Sequence, residues 1–509
     1  MKRINYMLAV ITGVTLVFSA TSCKKQLGEV VPQDQISTSL ALTDANAAQT
    51  LYVGVYSRLR AYNSTLFNLG EMRSDIWADG IFTESADGTS QQLYTHNISA
   101  LNVPYGNWGG FYNLIYQINN VIKVIPQSPV IQANKDKWLA EMYGIRAYIY
   151  YTMLRTWGAV PLTTEPVTSI SNAAETYKAR TSADSVMLQI KNDIEQSLTL
   201  FGSSNTIPAG NRTFWNRVAT LTLKGDVYIW SGTHMGGGNT DLTTAKNVLT
   251  EVKNLQGAAL NLNAVYGNSF DPTKKSNNPE IIMALNYELG QATQGSFSIF
   301  LVNGVQSSSY SFAQAPTPTV QSVYPYINGA NRVGMTSAMV TRLTSGPADQ
   351  RVNYSFRVMY STVPPHAYRG VLLSKWTGSV TGTSQVYNND FPLYRYADVL
   401  LLLAEAKAKL GEDPGAEITQ IRQRAYGAGA PVFTNGSVTD NMNAILEEYL
   451  REFIGEGKRW WALRRAGDSY VYSNIRSIYL SPTTTAKMLL PISQSMMNND
   501  PLLTQTTGY

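Results

Sequence analysis

Between residues 44 and 255 the apolar side chains recur every third or fourth position, a spacing that commits most of this stretch to packed helices. Residues 44–62 carry Leu51, Val55, Leu59 and Tyr62 on one stripe, and residues 108–125 repeat the habit with Phe111, Ile115, Ile118 and Ile122. The longest run, 135–157, aligns Leu139, Met142, Ile145, Ile149 and Met153. It meets Gly158 and then Pro161, an ordinary helix exit. Residues 181–200 open on Thr181 and Asp184 at capping-box spacing, and 214–231 with 242–255 form a further antiparallel pair. Helical spacing returns over 393–410, which ends at Gly411. Asp413 is the expected N-cap of the next helix, with Pro414 at its first position, and 439–454 follows, rich in Glu and Leu. Helical hairpins in such a series bury their faces only against neighbours, which gives a tetratricopeptide-like solenoid. The fold class expected is therefore mostly α, although the pairs share no fixed repeat.

The stretch 257–385 breaks this pattern. It is rich in Ser, Thr, Gly, Asn and Pro, and its short apolar runs, such as 281–285, read as strands or buried loops. A segment so long and so poor in helix signals is expected to pack on one side of the solenoid and carry a binding surface. At 509 residues the chain can bury a large core. Only 15% of residues are charged and 11% are aromatic, including 31 Tyr and 9 Trp, which argues against disorder. The net charge of +5 is scattered, and no Lys/Arg run exceeds two residues, so nucleic-acid binding has no footprint.

The N-terminus reads as a secretory signal. Lys2 and Arg3 precede an apolar stretch over 7–18, followed by the small residues Ser19, Ala20, Thr21 and Ser22, and then Cys23. Cys23 is the only cysteine, which excludes internal disulfides, cysteine zinc clusters and a CxxC redox pair. Its position resembles a bacterial lipobox, with Ala20 where Leu is usual, and marks Cys23 as the expected site of lipidation. Lys24 and Lys25 stand where surface-exported lipoproteins often have acids, so the leaflet stays open. The division expected is a signal peptide at 1–22, a helical region at 23–256, and a second region at 257–509, loop-rich to 385 and helical beyond.

Four motifs carry a family resemblance. Arg146-Ala147-Tyr148-Ile149-Tyr150-Tyr151 runs on through Leu154, Gly158, Pro161 and Leu162. Arg395-Tyr396-Ala397-Asp398 leads into Leu400, Leu401, Ala404, Glu405 and Ala406. Arg451-Glu452 is followed by Glu456-Gly457, Arg459, Leu463 and Arg465, and the chain closes on Leu490-Pro491-Ile492 and Asn499-Asp500-Pro501 through Gly508-Tyr509. In this order the set resembles the SusD-like (RagB/SusD) family of outer-membrane nutrient-binding lipoproteins. Ala462, Ser493 and Thr506 depart from the family pattern, where Asp, Pro and Asn are usual.

The resemblance implies about four tetratricopeptide-like helix pairs and a lid-like role over a TonB-dependent, SusC-like transporter. It implies an oligosaccharide ligand, with a peptide as the alternative. It also implies ligand-stacking aromatics from two places. One is the loop holding Asp75 and Trp77; the other is the Ser/Gly/Asn-rich stretch with Phe297, Phe300 and Tyr310. Trp77 has a second reading as a core residue. No catalytic, cofactor or metal residue is expected. The three histidines, His96, His234 and His366, are far apart, no Gly-x-Ser-x-Gly elbow occurs, and Gly236-Gly237-Gly238 lacks the Lys of a phosphate loop. Glu448, Glu452, Glu456 and Arg459 share a helical face; a glycosidase pair is one reading. Ion-paired scaffold is the favoured one, with Arg451, Arg459, Arg464 and Arg465 as the expected partners. A purely structural envelope lipoprotein is the third possibility.

Overall fold

The computed structural model describes residues 38–80, 87–167, 171–382 and 384–509. Cys23 and the signal segment lie outside the described residues. The longer helices, in chain order, are α1 (Ala45–Arg60), α2 (Gly109–Val124), α3 (Gln132–Trp157), α4 (Ala183–Phe201), α5 (Arg217–His234), α6 (Gly238–Lys253), α7 (Ser337–Thr344), α8 (Tyr396–Lys409), α9 (Gly415–Tyr426), α10 (Val438–Glu452) and α11 (Arg459–Ala466). Each of α1 to α6 packs on its predecessor, α6 passes the stack to α8, and α8 receives α9 and α10. This is the stacked-hairpin architecture that the apolar spacing predicts. One main hydrophobic cluster runs through it, from Ala41 near the start to Leu503 near the end. Among the described residues no helix is long and apolar enough to cross a membrane.

Helix boundaries follow local chemistry. Helix α3 stops where Gly158 adopts φ +74°, a left-handed turn that glycine enters without a Cβ penalty. The α4 cap differs from expectation by one residue. Ser182 accepts the Ser185 N–H, because Thr181 is already used: it bridges Val160, and its hydroxyl takes the Leu162 N–H. Likewise α9 begins at Gly415, with Pro414 in the cap position and Asp413 accepting the Gly415 N–H from just outside.

Short strands are concentrated in the middle region, with β1 before it and β9 just after it: β1 (Ala78–Asp79), β2 (Ile281–Leu285), β3 (Tyr310–Ser311), β4 (Val333–Gly334), β5 (Phe356–Ser361), β6 (Tyr368–Leu373), β7 (Ser379–Thr381), β8 (Ser384–Val386) and β9 (Phe391–Arg395). All pairings are antiparallel: β1 with β4, β2 with β9, β7 with β8, and β3-β5-β6 as one small sheet. Strands β2 and β9 are buried along their whole length and tie the middle region to the start of α8.

The charged residues expected on one helical face are scaffold, but the helix breaks between them. Helix α10 ends at Glu452, Glu456 lies in the turn that follows and Arg459 opens α11. Their partners are not those expected. Glu448 pairs with Arg351 and Arg422, Glu452 with Arg395 and Arg424, and Glu456 with Arg395 and Lys375. Arg451 goes to Glu447, Arg465 to Glu405 and Asp226, Arg464 to the Met488 carbonyl, and Arg459 to Asp75. Helix neighbours compete poorly here because guanidiniums from distant segments reach the same buried carboxylates.

A separate buried acid sits between α1 and α3. Glu141 is fully buried and accepts the hydroxyls of Tyr52, at 2.5 Å, and of Tyr56. Burial pushes its carboxyl up to about 7, against the pull of those two hydroxyls. The fold therefore keeps a proton that the unfolded chain releases near 4.5, so stability falls as pH rises through this window. Glu141→Gln does not titrate. Its stability relative to wild type should rise by about 2 kcal/mol between pH 4.5 and pH 8. Thermal melts at both pH values check this, and a pH-independent difference would overturn it.

Candidate ligand-binding cleft

The loop from Arg73 to β1 follows a tight turn at Asn68–Met72 that packs on α11. Asp75 in this loop is gripped by Arg459 in a two-point contact of 2.8 and 2.9 Å, and by Arg342 of α7 at 3.3 Å. Burial alone would raise Asp75, yet these guanidiniums hold its carboxyl below the usual range. Arg342 also bonds Glu447 at 2.7 Å but keeps 39% of its side chain exposed. Trp77 is 5% exposed; its Nε1–H donates to Glu71 at 3.2 Å, and its ring lies 4.7 Å from Phe300 and 6.3 Å from Phe67, centroid to centroid.

These residues form one wall of an open cleft of about 680 Å³. The helix Gly88–Tyr94 contributes Tyr94, whose hydroxyl donates to Asp79; Gln91 donates to the same oxygen at 3.1 Å. The α7 side contributes Met335, Thr336, Met339 and Arg342. The segment after the helix Asp468–Asn474 contributes Arg476 and Tyr479, with the guanidinium 5.0 Å above the tyrosine ring. Apolar and aromatic surfaces therefore face a small set of polar groups, the usual make-up of a small-molecule site.

The five residues expected to stack or hold ligand do not form one platform. Asp75 and Trp77 line the cleft. Phe300 and Phe297 are each 1% exposed: Phe300 packs against Trp77, and Phe297 stacks on Trp376 and Phe391 with centroids 5.4 and 6.0 Å away. Tyr310 is 8% exposed in a smaller core with Leu301, Val320, Met359 and Leu372. A ring buried on both faces has no face left for a sugar. Truncating Trp77 itself carries the cost of a core tryptophan, about 3–5 kcal/mol, which would obscure a binding measurement. Tyr94, Arg342, Met335, Met339, Arg476 and Tyr479 are the cleft residues that the sequence reading missed. The available signal was Arg476 and Tyr479, three apart and outside any apolar stripe.

Among the described residues nothing in the cleft resembles a hydrolytic pair. Asp75 is held ionised, the wrong state for the general acid of a glycosidase, and Asp79 is engaged by Tyr94 and Gln91. Each histidine is used on a main-chain carbonyl: His96 on Arg73 at 3.0 Å, His234 on Arg464 at 2.6 Å and His366 on Ser361 at 2.9 Å. Among the described residues no group of three or more His, Cys, Asp or Glu could hold a metal ion.

Comparison with known proteins decides the family. Residues 359–509 match the SusD family, and residues 30–222 match a family described as starch-binding and associating with the outer membrane. The structure of B. fragilis NanU superposes with a TM-score of 0.82 at 32% identity, covering 94% of this chain and 99% of NanU. A SusD superfamily protein from Bacteroides vulgatus gives 0.79 at 30% identity, covering 92% and 99%. The chain belongs to the SusD family. SusD-like protein P38 of Formosa agariphila is 26% identical over 535 aligned positions, 99% of this chain and 98% of its own length. Members of the SusD family are binding proteins with a tetratricopeptide-like helical fold, and the stacked helices α1 to α6, α8 and α9 are this chain's version of it.

Proposed function

We propose that this SusD-family chain binds an oligosaccharide in the Trp77–Tyr479 cleft and hands it to a TonB-dependent, SusC-like transporter in the outer membrane. The observation that carries the reading is the cleft itself: about 680 Å³, walled by Trp77, Tyr94 and Tyr479, with Arg342, Arg476 and Asp79 among them. Sugars present flat C–H faces to aromatic rings and hydroxyls to charged or amide neighbours. The half-buried Tyr479 ring beside Arg342, Arg476 and Asp79 offers both, with Trp77 and Tyr94 backing the wall. The description of the N-terminal family match as starch-binding supports a glycan over a peptide. Asp75 serves by holding Arg342 at the cleft, since its own oxygens are taken by guanidiniums. In this reading Cys23 carries the lipid, and the body docks on the transporter through an interface large enough for a durable complex.

Tyr479 is half-buried and packs on the edge of the main core, so Tyr479→Ala should lower the melting temperature only modestly and stay folded. It should lose about tenfold in affinity for a neutral glucan oligosaccharide, the loss of one stacking ring. Calorimetric titration of starch- and laminarin-derived oligosaccharides, with a peptide library alongside, checks this. Peptide binding without glycan binding would move the ligand class, and unchanged glycan affinity in Tyr479→Ala would move the site.

A further inference from the structure

A second cleft, of about 370 Å³, opens between β5, the segment after β6 and the turn at Tyr266–Ser269, and shares no lining residue with the first. Three features give it a chemistry of its own. Arg357 on β5 is exposed, and no carboxylate pairs with it among the described residues. Its guanidinium instead rests against a pair of touching rings, 5.3 Å from the centroid of Phe312 and 5.4 Å from that of Tyr324. Two further tyrosines, Tyr326 and Tyr354, line the same cleft, and Tyr354 is 43% exposed. Tyr354 lies flat on Gly267, where an added Cβ would come within 2.3 Å of the ring, so its place at the rim depends on that glycine.

Two other charged groups line the cleft. Lys375 is fully buried on Glu456, at 2.8 Å, and the half-buried Asp271, an anion, has Oδ1 occupied by the N–H and hydroxyl of Thr273 at 2.8 and 2.7 Å. Among the described lining residues Arg357 is the exposed cation without a carboxylate partner, and it stands beside Tyr354 and the side chains of Asn353, Thr273 and Ser379. A guanidinium held this way offers a two-point donor to a planar or tetrahedral anion. Exposed tyrosine rings beside it offer a stacking surface for a pyranose.

We propose that this second cleft binds a sugar unit bearing an anionic group, a carboxylate or a sulfate ester, with Arg357 on the anion and Tyr354 against the ring. It stands independently of the first cleft. The two are separated in the test by their variants: Arg357→Gln and Tyr354→Ala address the second cleft, and Tyr479→Ala the first.

The mature chain would be titrated with a glucuronate-containing oligosaccharide, a sulfated glucose oligosaccharide and a neutral glucan of equal length. Wild type should bind at least one acidic probe, with affinity falling as salt is raised. Arg357→Gln and Tyr354→Ala should each weaken it tenfold or more, while Tyr479→Ala leaves it unchanged. Whichever probe binds names the anion. Because Arg357 and Tyr354 are exposed, both variants should melt with wild type; were one to misfold, the other carries the test. The proposal is overturned if no acidic probe binds at millimolar concentration, if both second-cleft variants bind as wild type, or if the acidic probe is lost only in Tyr479→Ala.

Discussion

Arg395→Met should lower stability by about 3–5 kcal/mol, a large part of what holds a domain together. Arg395 is fully buried at the junction of β9 and α8. Its guanidinium reaches Glu280 at 2.5 Å, Glu452 at 2.6 Å and Glu456 at 2.8 and 2.9 Å, and donates to the Glu452 carbonyl at 2.9 Å. Methionine fills the space but leaves three carboxylates short of a cation, and uncompensated buried charge is the expensive outcome. Arg424, Arg351, Lys375 and Lys458 still face the cluster and limit the loss.

The same substitution should move the acid limb. Burial would raise Glu456, but Arg395, Lys375 and Lys458 hold its carboxyl down to about 2. A depressed carboxyl contributes stability that is complete above about pH 4.5 and lost as the pH falls towards 2. Without Arg395 the Glu456 carboxyl rises, so acid unfolding should begin at higher pH than in wild type. Urea titrations at pH 7 and acid titrations of both proteins measure the two effects. A variant within about 0.5 kcal/mol of wild type would show that the cluster does not need its central cation.

The contrast between this cluster and the helices shows what a sequence exposes. Helix α3 was readable to its last residue because its apolar period and its Gly158 exit are local properties of one segment. The acidic face of α10 was readable too, as a row of carboxylates three or four apart. Its partners were not, since Arg351, Arg395, Arg422 and Arg424 arrive from other elements and only tertiary packing chooses them. Phe297 and Phe300 failed for a related reason. Their Ser- and Gly-rich surroundings read as an exposed loop, yet Ser296–Phe300 is a 3₁₀ turn that places rings three apart on one side. That side meets Phe67, Trp376 and Phe391, three segments far apart in the chain. Two departures from the family pattern make local sense in the same terms: Ser493 caps the helix Gln494–Asn499, and Thr506 donates to the Leu490 carbonyl.

Glu71→Gln should both destabilise the protein and weaken the first cleft. The Glu71 carboxylate is fully buried and accepts four hydrogen bonds: from the N–H groups of Gly455, Glu456 and Gly457 at 2.6, 3.1 and 2.7 Å, and from Trp77 Nε1 at 3.2 Å. The three main-chain donors converge because Gly455 and Gly457 take positive φ, +82° and +74°, and the neighbouring Gly70 lets the backbones meet. A Cβ on Gly70 would fall 1.7 Å from the Gly457 carbonyl oxygen. One carboxylate thus joins the Gly455–Gly457 turn of the scaffold to the tryptophan of the cleft wall. Glutamine keeps the shape but turns an NH₂ towards donors, stranding at least one buried N–H, which costs about 2–4 kcal/mol with the lost charge. The Trp77 ring then loses a fixed anchor, so glycan affinity should fall about tenfold alongside the melting temperature. Trp77→Phe separates the two roles, because it removes the indole N–H together with part of the ring volume but leaves the three main-chain bonds to Glu71 in place. It should keep more of the stability than Glu71→Gln does while still weakening binding. If Glu71→Gln melts with wild type, the carboxylate is not the anchor that its four donors make it.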